Sequence, residues 1–120
     1  PARASSITHR GHFPPEFAFD GNPETRWASE YETPQWLMVD LEDVKDIYAV
    51  DLEWENAYAK AYSIEVSTDG ETWTTVHETK SGYGEEPIIK FSPTKARYVR
   101  LNVTENGTKW GASLWEMKIF

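Results

Sequence analysis

The chain contains no cysteine. That excludes disulfide staples and thiolate metal centres, and leaves histidines and carboxylates as the side-chain ligands for any zinc ion. No apolar run approaches the roughly 18 residues that a membrane helix needs. Basic residues are scarce: twelve Lys and Arg stand against twenty Asp and Glu, for a formal net charge of −8. A surface of that sign disfavours nucleic acid and anionic lipid, which call for basic patches, and suits calcium, neutral sugars or cationic partners. The Gly-x-Ser-x-Gly nucleophile motif is missing. No signal-peptide pattern lies at Pro1-Ala2-Arg3-Ala4, so the chain reads either as cytosolic or as a module of a longer secreted protein.

What is present is enough for one core. The 120 residues have the size of a single domain, residues 1–120. Apolar residues make up 39% and aromatics 14%, with six Trp and six Tyr, so some aromatics are left over for a surface.

Helical periodicity is sparse and period-2 alternation is common, which predicts an all-β domain. The expected strands are Gln35 to Leu41 with Leu37, Val39 and Leu41 on one face, and Ile47 to Trp54 with Tyr48, Val50, Leu52 and Trp54 together. Next come Tyr62 to Val66 and Trp73 to Val76, joined by a turn at Asp69-Gly70. Ile88 to Phe91, Tyr98 to Val103 and Leu114 to Phe120 follow, the last with Trp115, Met117 and Ile119 facing inward. Short strands with frequent turn signals imply a β-sandwich of about seven or eight strands. Trp36, Trp54, Trp73 and Trp115 fall in strand patterns and are expected in the core. The stretch from Ser5 to Tyr31 shows no sustained alternation and reads as ordered loop. A loop longer than ~15 residues in a compact domain is usually functional or needs something to hold it.

Within that stretch lies Phe17-Ala18-Phe19-Asp20-Gly21-Asn22-Pro23-Glu24-Thr25-Arg26-Trp27. The oxygens of Asp20, Asn22 and Thr25 are spaced so that a tight turn at Gly21 and Pro23 could wrap them around one cation. Calcium accepts six to eight oxygens, with carbonyls and hydroxyls among them. The residues alone favour the plainer reading, an Asp-Gly turn leading into a loop.

The string Ala18-Phe19-Asp20-Gly21-Asn22-Pro23-Glu24-Thr25-Arg26-Trp27 resembles the hallmark of discoidin-like, or coagulation-factor C-type, domains. These share the galactose-binding-like sandwich with carbohydrate-binding module family 32. Further segments agree in order along nearly the whole chain: Pro34 to Leu41, Tyr62 to Trp73, Ala96 to Leu101, and Ser113-Leu114-Trp115-Glu116. The resemblance implies a jelly-roll-like β-sandwich of about eight strands with one structural calcium. Carried over residue by residue, it implies metal ligands at Asp20 and Thr25, the carbonyls of Phe17, Asn22 and Trp115, and the carboxylate of Glu116. Arg26 and Trp27 are expected to serve packing and pairing.

The resemblance also implies a carbohydrate site among loops at one end of the sandwich. Sugars are held by an aromatic face against their C–H groups, rimmed by polar side chains that bond their hydroxyls. The candidates by loop are His9, Arg10 and His12; Glu30 and Tyr31; Glu55, Asn56 and Tyr58; and Lys109 and Trp110. Tyr31, Tyr58 and Trp110 read equally as platforms or as lids on the core, and the loop spacing of His9 and His12 is not read as a zinc site. Galactose-binding members carry a His after the Trp of the Arg-Trp pair, where this chain has Ala28. They also carry an Arg where Glu55-Asn56-Ala57 stands. The pattern instead looks like modules on bacterial glucan- or chitosan-active enzymes, and Glu30 and Glu55 would suit the ammonium groups of an amino-sugar polymer such as chitosan.

The expectation is therefore a non-catalytic, calcium-stabilised module binding poly- or oligosaccharide, monomeric within a larger secreted enzyme. No nucleic-acid or membrane partner is expected. A protein- or membrane-adhesion domain is the alternative, against which stand the net negative charge and the missing terminal disulfide of the animal relatives. Catalysis is not expected, because a sandwich of this size has little room for a water-excluding cleft. The sequons Asn102-Val103-Thr104 and Asn106-Gly107-Thr108 are read as incidental.

Overall fold

The computed structural model describes residues 1–120, and two strands dominate it. β1 (Ala2–Ala4) and β2 (Trp27–Ala28) are short, whereas β3 runs from Gln35 to Trp54. β4 (Ala59–Ser67) and β5 (Thr74–Thr79) form a hairpin, β6 runs from Ile89 to Asn106, and β7 spans Ser113–Ile119. A strand of 20 residues would extend about 66 Å at 3.3 Å per residue. The whole molecule measures 35 × 28 × 26 Å, so β3 bends, and β6, antiparallel to it along its length, bends with it.

The corner lies between Asp40 and Lys45, where the β3–β6 register shifts. Glu42 there adopts a left-handed φ of 73°, and its N–H donates to Asp40 Oδ1 at 2.8 Å. Arg97 of β6 braces the same carboxylate through two bonds of 2.9 and 3.0 Å. Before the corner β3 pairs β1 and β6, and β6 continues to β4 and then β5. After it, β3 pairs β7, which pairs β2. One continuous antiparallel sheet thus folds over itself into two layers, which is the expected all-β sandwich. Leu37, Val39, Val50, Leu52, Tyr62, Ile64, Val99, Leu101, Val103 and Leu114 fill the space between the layers.

Several expectations change. The paired segments Gln35 to Leu41 and Ile47 to Trp54 are halves of β3, and Ile88 to Phe91 and Tyr98 to Val103 belong to β6. Alternation cannot show that a corner leaves a strand unbroken. Tyr48 is exposed rather than inward, because the register shifts again between Ile47 and Ala49 and turns Ala49 and Val50 both into the core. On β7, Trp54 pairs Leu114 while Glu53 pairs Glu116, so Trp115 is the extra residue of a bulge. Leu114 and Met117 are consequently the buried pair, and Trp115 turns toward Arg26, 5.7 Å from its ring centroid. Trp54 and Trp27 are core; Trp36 and Trp73 are half-buried, the latter under the Arg100 guanidinium at 3.9 Å.

The Asp69-Gly70 turn forms as expected. Gly70 has φ of 79°, and Asp69 Oδ1 accepts the N–H groups of Glu71 and Thr72. Those backbone bonds hold the Asp69 carboxyl below its ordinary range. The long N-terminal loop is tied down by Trp27 Nε1 to Ser6 O at 3.1 Å, and by Thr8 N–H to Ala28 O and Ala28 N–H to Phe13 O. A single turn of 3₁₀ helix, Pro15–Ala18, leads into the Asp20 turn.

Candidate functional site

Gly21, at φ of 71°, permits the reversal that Asp20 and Asn22 flank. Asp20 Oδ1 accepts the Asn22 N–H at 2.9 Å, and Asn22 Oδ1 accepts the Glu24 N–H at the same distance. The Thr25 hydroxyl sits 2.5 Å from Asp20 Oδ2, 3.2 Å from Asn22 O and 3.5 Å from Phe17 O. The carboxylate, the hydroxyl and both carbonyls expected from the loop therefore converge on one point.

Glu116 reaches the same point from β7. It is buried, and its Oε1 has no hydrogen-bond partner. Burial first, and then the adjacent Asp20, push its carboxyl up to about 6. Burial also raises Asp20, but the Thr25 hydroxyl and Asn22 N–H outweigh it and hold that group below its ordinary value. Two carboxylates pressed together beside a hydroxyl and carbonyls, with one buried oxygen unpartnered, form a donor set that fits a hard, oxygen-loving divalent cation. Trp115 precedes Glu116 as the bulged residue of β7, and its ring lies against Arg26 instead of in the core.

The second feature is an open cleft of about 390 Å³ at the loop end of the sandwich. Of the expected sugar-binding residues, Arg10, Tyr31, Glu55, Asn56 and Trp110 line it. Trp110 is 47% exposed, and Tyr31 meets it edge to face, with centroids 5.8 Å apart. Arg10 lies over Tyr31 at 5.1 Å and Lys109 over Trp110 at 4.8 Å. Two loops hold this pair in place. Ala112 N–H donates to Ser29 Oγ at 3.0 Å, Ser29 N–H to Ala112 O at 2.9 Å, and Asn106 Nδ2 to Tyr31 O at 2.8 Å. Asn106 is thus occupied structurally, and Asn102 is likewise bound to Glu65.

His9 and Glu30 are not in the lining. They pair beside it, His9 Nδ1 to Glu30 Oε1 at 2.9 Å, with the His9 N–H on the same oxygen. The histidine bond outweighs the opposing effect of burial and holds the Glu30 carboxyl below its ordinary range. His12 stacks edge-on to Phe17 at 5.4 Å and takes no part in the cleft. Tyr58 also lies outside the lining: its ring packs on Gly107 and Gly84, and a Cβ on Gly107 would fall 2.1 Å from Tyr58 Cε2. It wedges loops apart rather than offering a platform.

Thr8, Phe13, Arg26, Ala28, Ala57 and Gly111 to Ser113 also line the cleft. Most are small or apolar and carried no signal in the sequence. Arg26 did carry one, since it neighbours the fully buried Trp27 in an extended segment and so faces the opposite way. Its guanidinium stacks on Phe13 at 4.0 Å, donates to Ser113 Oγ at 2.7 Å and lies 3.9 Å from Glu55 Oε1. Glu55 also accepts the Ala57 N–H at 2.9 Å, so its carboxylate is held from two sides. An exposed indole, one oriented carboxylate, two guanidiniums and an amide make a surface for a ring with apolar faces and polar edges.

Comparison with known proteins places this geometry. The F5/8 type C domain model matches residues 1–117, and the chain belongs to that family. Chitosan-binding module 1 of the chitosanase/glucanase from Paenibacillus sp. IK-5 is 44% identical, with a TM-score of 0.94 over 100% of this chain and 93% of that one. Module 2 of the same enzyme, solved in complex with chitotriose, is 42% identical at a TM-score of 0.94, over 100% of this chain and 95% of that one. The polysaccharide lyase 8 family protein HylA of Enterococcus faecalis is 38% identical over 88 residues. That match takes in 71% of this chain and 6% of the length of that relative.

Proposed function

We propose that this F5/8 type C domain is a carbohydrate-binding module whose cleft holds amino-sugar oligosaccharides of the chitosan type and performs no chemistry on them. The observation that carries this reading is the half-exposed Trp110 beside the oriented Glu55 carboxylate. The indole offers a face to the C–H groups of a pyranose, and the carboxylate offers an acceptor to an ammonium. Glu30, at the rim with its His9 partner, supplies a second acceptor. The likeness to two chitosan-binding modules above 40% identity supports the same ligand class. Ala28, where a galactose-binding relative would carry a histidine, leaves room in the cleft but no imidazole for a galactose hydroxyl.

The non-catalytic reading is supported by the family and by the likeness to modules described as chitosan-binding. The convergent oxygens of Phe17, Asp20, Asn22, Thr25 and Glu116, together with the Trp115 carbonyl that the family resemblance adds, are assigned to a structural calcium ion, which would bind the N-terminal loop to β7. The match to a short stretch of a far longer polysaccharide lyase supports a role as one module of a larger secreted bacterial enzyme.

Isothermal titration with chitotriose, cellotriose, galactose and trigalacturonate tests the ligand class. Chitotriose is expected to bind tightest. Preference for trigalacturonate would shift the recognition to Arg10 and Arg26, and preference for galactose would sink the amino-sugar reading. Binding to phosphatidylserine vesicles with no response to any sugar would favour an adhesion domain.

A further inference from the structure

A second cleft, of about 360 Å³, opens on the flank of the sandwich between β5 and the start of β6, beneath the connection 80–88. It is nearly as large as the first and its chemistry differs from a packing defect. Tyr62, 1% exposed, lies at its floor, and the hydroxyl has no hydrogen-bond partner. Glu86 also belongs to it. Oε1 of Glu86 accepts the Tyr83 N–H at 2.6 Å and the Gly84 N–H at 3.4 Å, while the buried Oε2 has no partner. Burial first, and then the Glu86 charge, raise the Tyr62 phenol, so it stays a neutral donor. A buried oxygen without a partner is costly, and two of them facing one small space suit a hydroxyl that bridges both.

The rest of the lining narrows the occupant. The lining carries one carboxylate, Glu86, one ammonium, Lys90, and the imidazole of His77, so it has no strong excess of either charge. Hydroxyls come from Tyr62, Thr79, Ser81 and Tyr83, with Tyr83 59% exposed at the mouth. Pro87 and Ile88 supply apolar rim. That mixture suits a neutral, hydroxyl-rich ring with apolar faces.

We propose that this flank cleft is a second carbohydrate-binding site for a single pyranose unit, which stacks on Tyr83 and places a ring hydroxyl between Tyr62 Oη and Glu86 Oε2. A sugar hydroxyl donates to the carboxylate and accepts from the phenol, satisfying both at once. Both floor oxygens are buried, so seating a hydroxyl between them requires the 81–88 segment to move outward. Tyr58 stands between the two sites, its ring packed on Gly84 of this segment and on Gly107 of the first cleft's loop.

The test is an amide-resolved NMR titration of the intact protein and of the W110A and Y62F variants, using chitotriose and the uncharged cellotriose as separate probes. The expected result is two independent sets of saturating shifts, one in loop 105–112 and one in residues 79–90. W110A should lose the first set and keep the second. Y62F should keep the first and weaken the second by roughly tenfold, the loss of one good hydrogen bond. Y62F should fold, since its hydroxyl has no partner to lose, and E86Q, which retains the Oε1 acceptor, serves as a second variant. If residues 79–90 stay still with both probes while loop 105–112 responds, the second site is overturned and the first stands. Shifts at 79–90 that vanish in W110A, or that survive unchanged in both Y62F and E86Q, overturn it equally.

Discussion

Tyr31 and Trp110 meet edge to face, their ring centroids 5.8 Å apart and their planes at 79°. Neither residue owes its place to a strand. Both lie in loops that Ser29 and Asn106 stitch together, so the aromatic pair is held by hydrogen bonds to backbone rather than by core burial. Trp110→Ala should therefore leave stability within about 0.5 kcal/mol of the parent. It should weaken chitotriose binding at the first cleft by about tenfold or more. Thermal denaturation and calorimetric titration of one preparation check both halves.

Glu55→Gln separates charge from shape. The amide can still accept the Ala57 N–H but cannot pair with an ammonium as a carboxylate does. Chitotriose affinity should fall roughly tenfold while cellotriose affinity stays level. Equal losses for the two sugars would mean that Glu55 reads a hydroxyl common to both.

At the Asp20–Glu116 pair, calcium at about a hundredfold excess over its dissociation constant should raise the melting temperature by roughly 10 °C over the protein in EDTA. Asp20→Asn and Thr25→Val should abolish that response. Glu116→Gln should abolish it too, while leaving the metal-free protein at least as stable as the parent, because it removes one of two crowded carboxylates. A melting point indifferent to both calcium and EDTA would refute the assignment.

The corner of β3 has a pH signature. Hydrogen bonds from Arg97, then from the Glu42 N–H, lower the Asp40 carboxyl from 3.8 to about 2. A carboxyl depressed by folding stabilises the native state above its unfolded pKa and loses that contribution as pH falls through the folded value. Asp40→Asn should melt below the parent at pH 7, and the gap should close between about pH 4 and pH 2.

Glu42 itself carries a left-handed φ of 73°, which costs a side chain about 1 kcal/mol. Glu42→Gly should recover a comparable amount in urea denaturation, with the sugar affinity unchanged.

The sequence showed which residues face inward wherever the strands run straight, as at Leu37 and Val39 or Ile64 and Val66. It misled where one residue was added to a strand. Trp115 and Tyr48 each sit at a bulge that flips the alternation, and nothing in local composition marks an insertion whose cause lies in the partner strand's register. The Asp20 turn was the most legible part, because its clustered oxygens lie within the nine residues Phe17 to Thr25 and their spacing survives folding. The cleft was half legible: the large aromatic and charged side chains stood out, but Thr8, Phe13, Ala57 and Ser113 are ordinary residues gathered from distant segments. Tyr58 stood out for the same reason and proved to be a spacer.

The two long strands have a consequence for how the domain is made and lost. β3 and β6 each contribute half their length to either layer, and their pairing joins positions such as Val39 and Val99 that are far apart in the chain. Neither layer can detach while the other remains without tearing both strands at the corner, so the sandwich has no natural half-folded state. Opening should be all-or-none, with amide protection spread evenly across the two layers. Assembly must wait for that distant pairing to form, which makes this a slow-folding unit for its size.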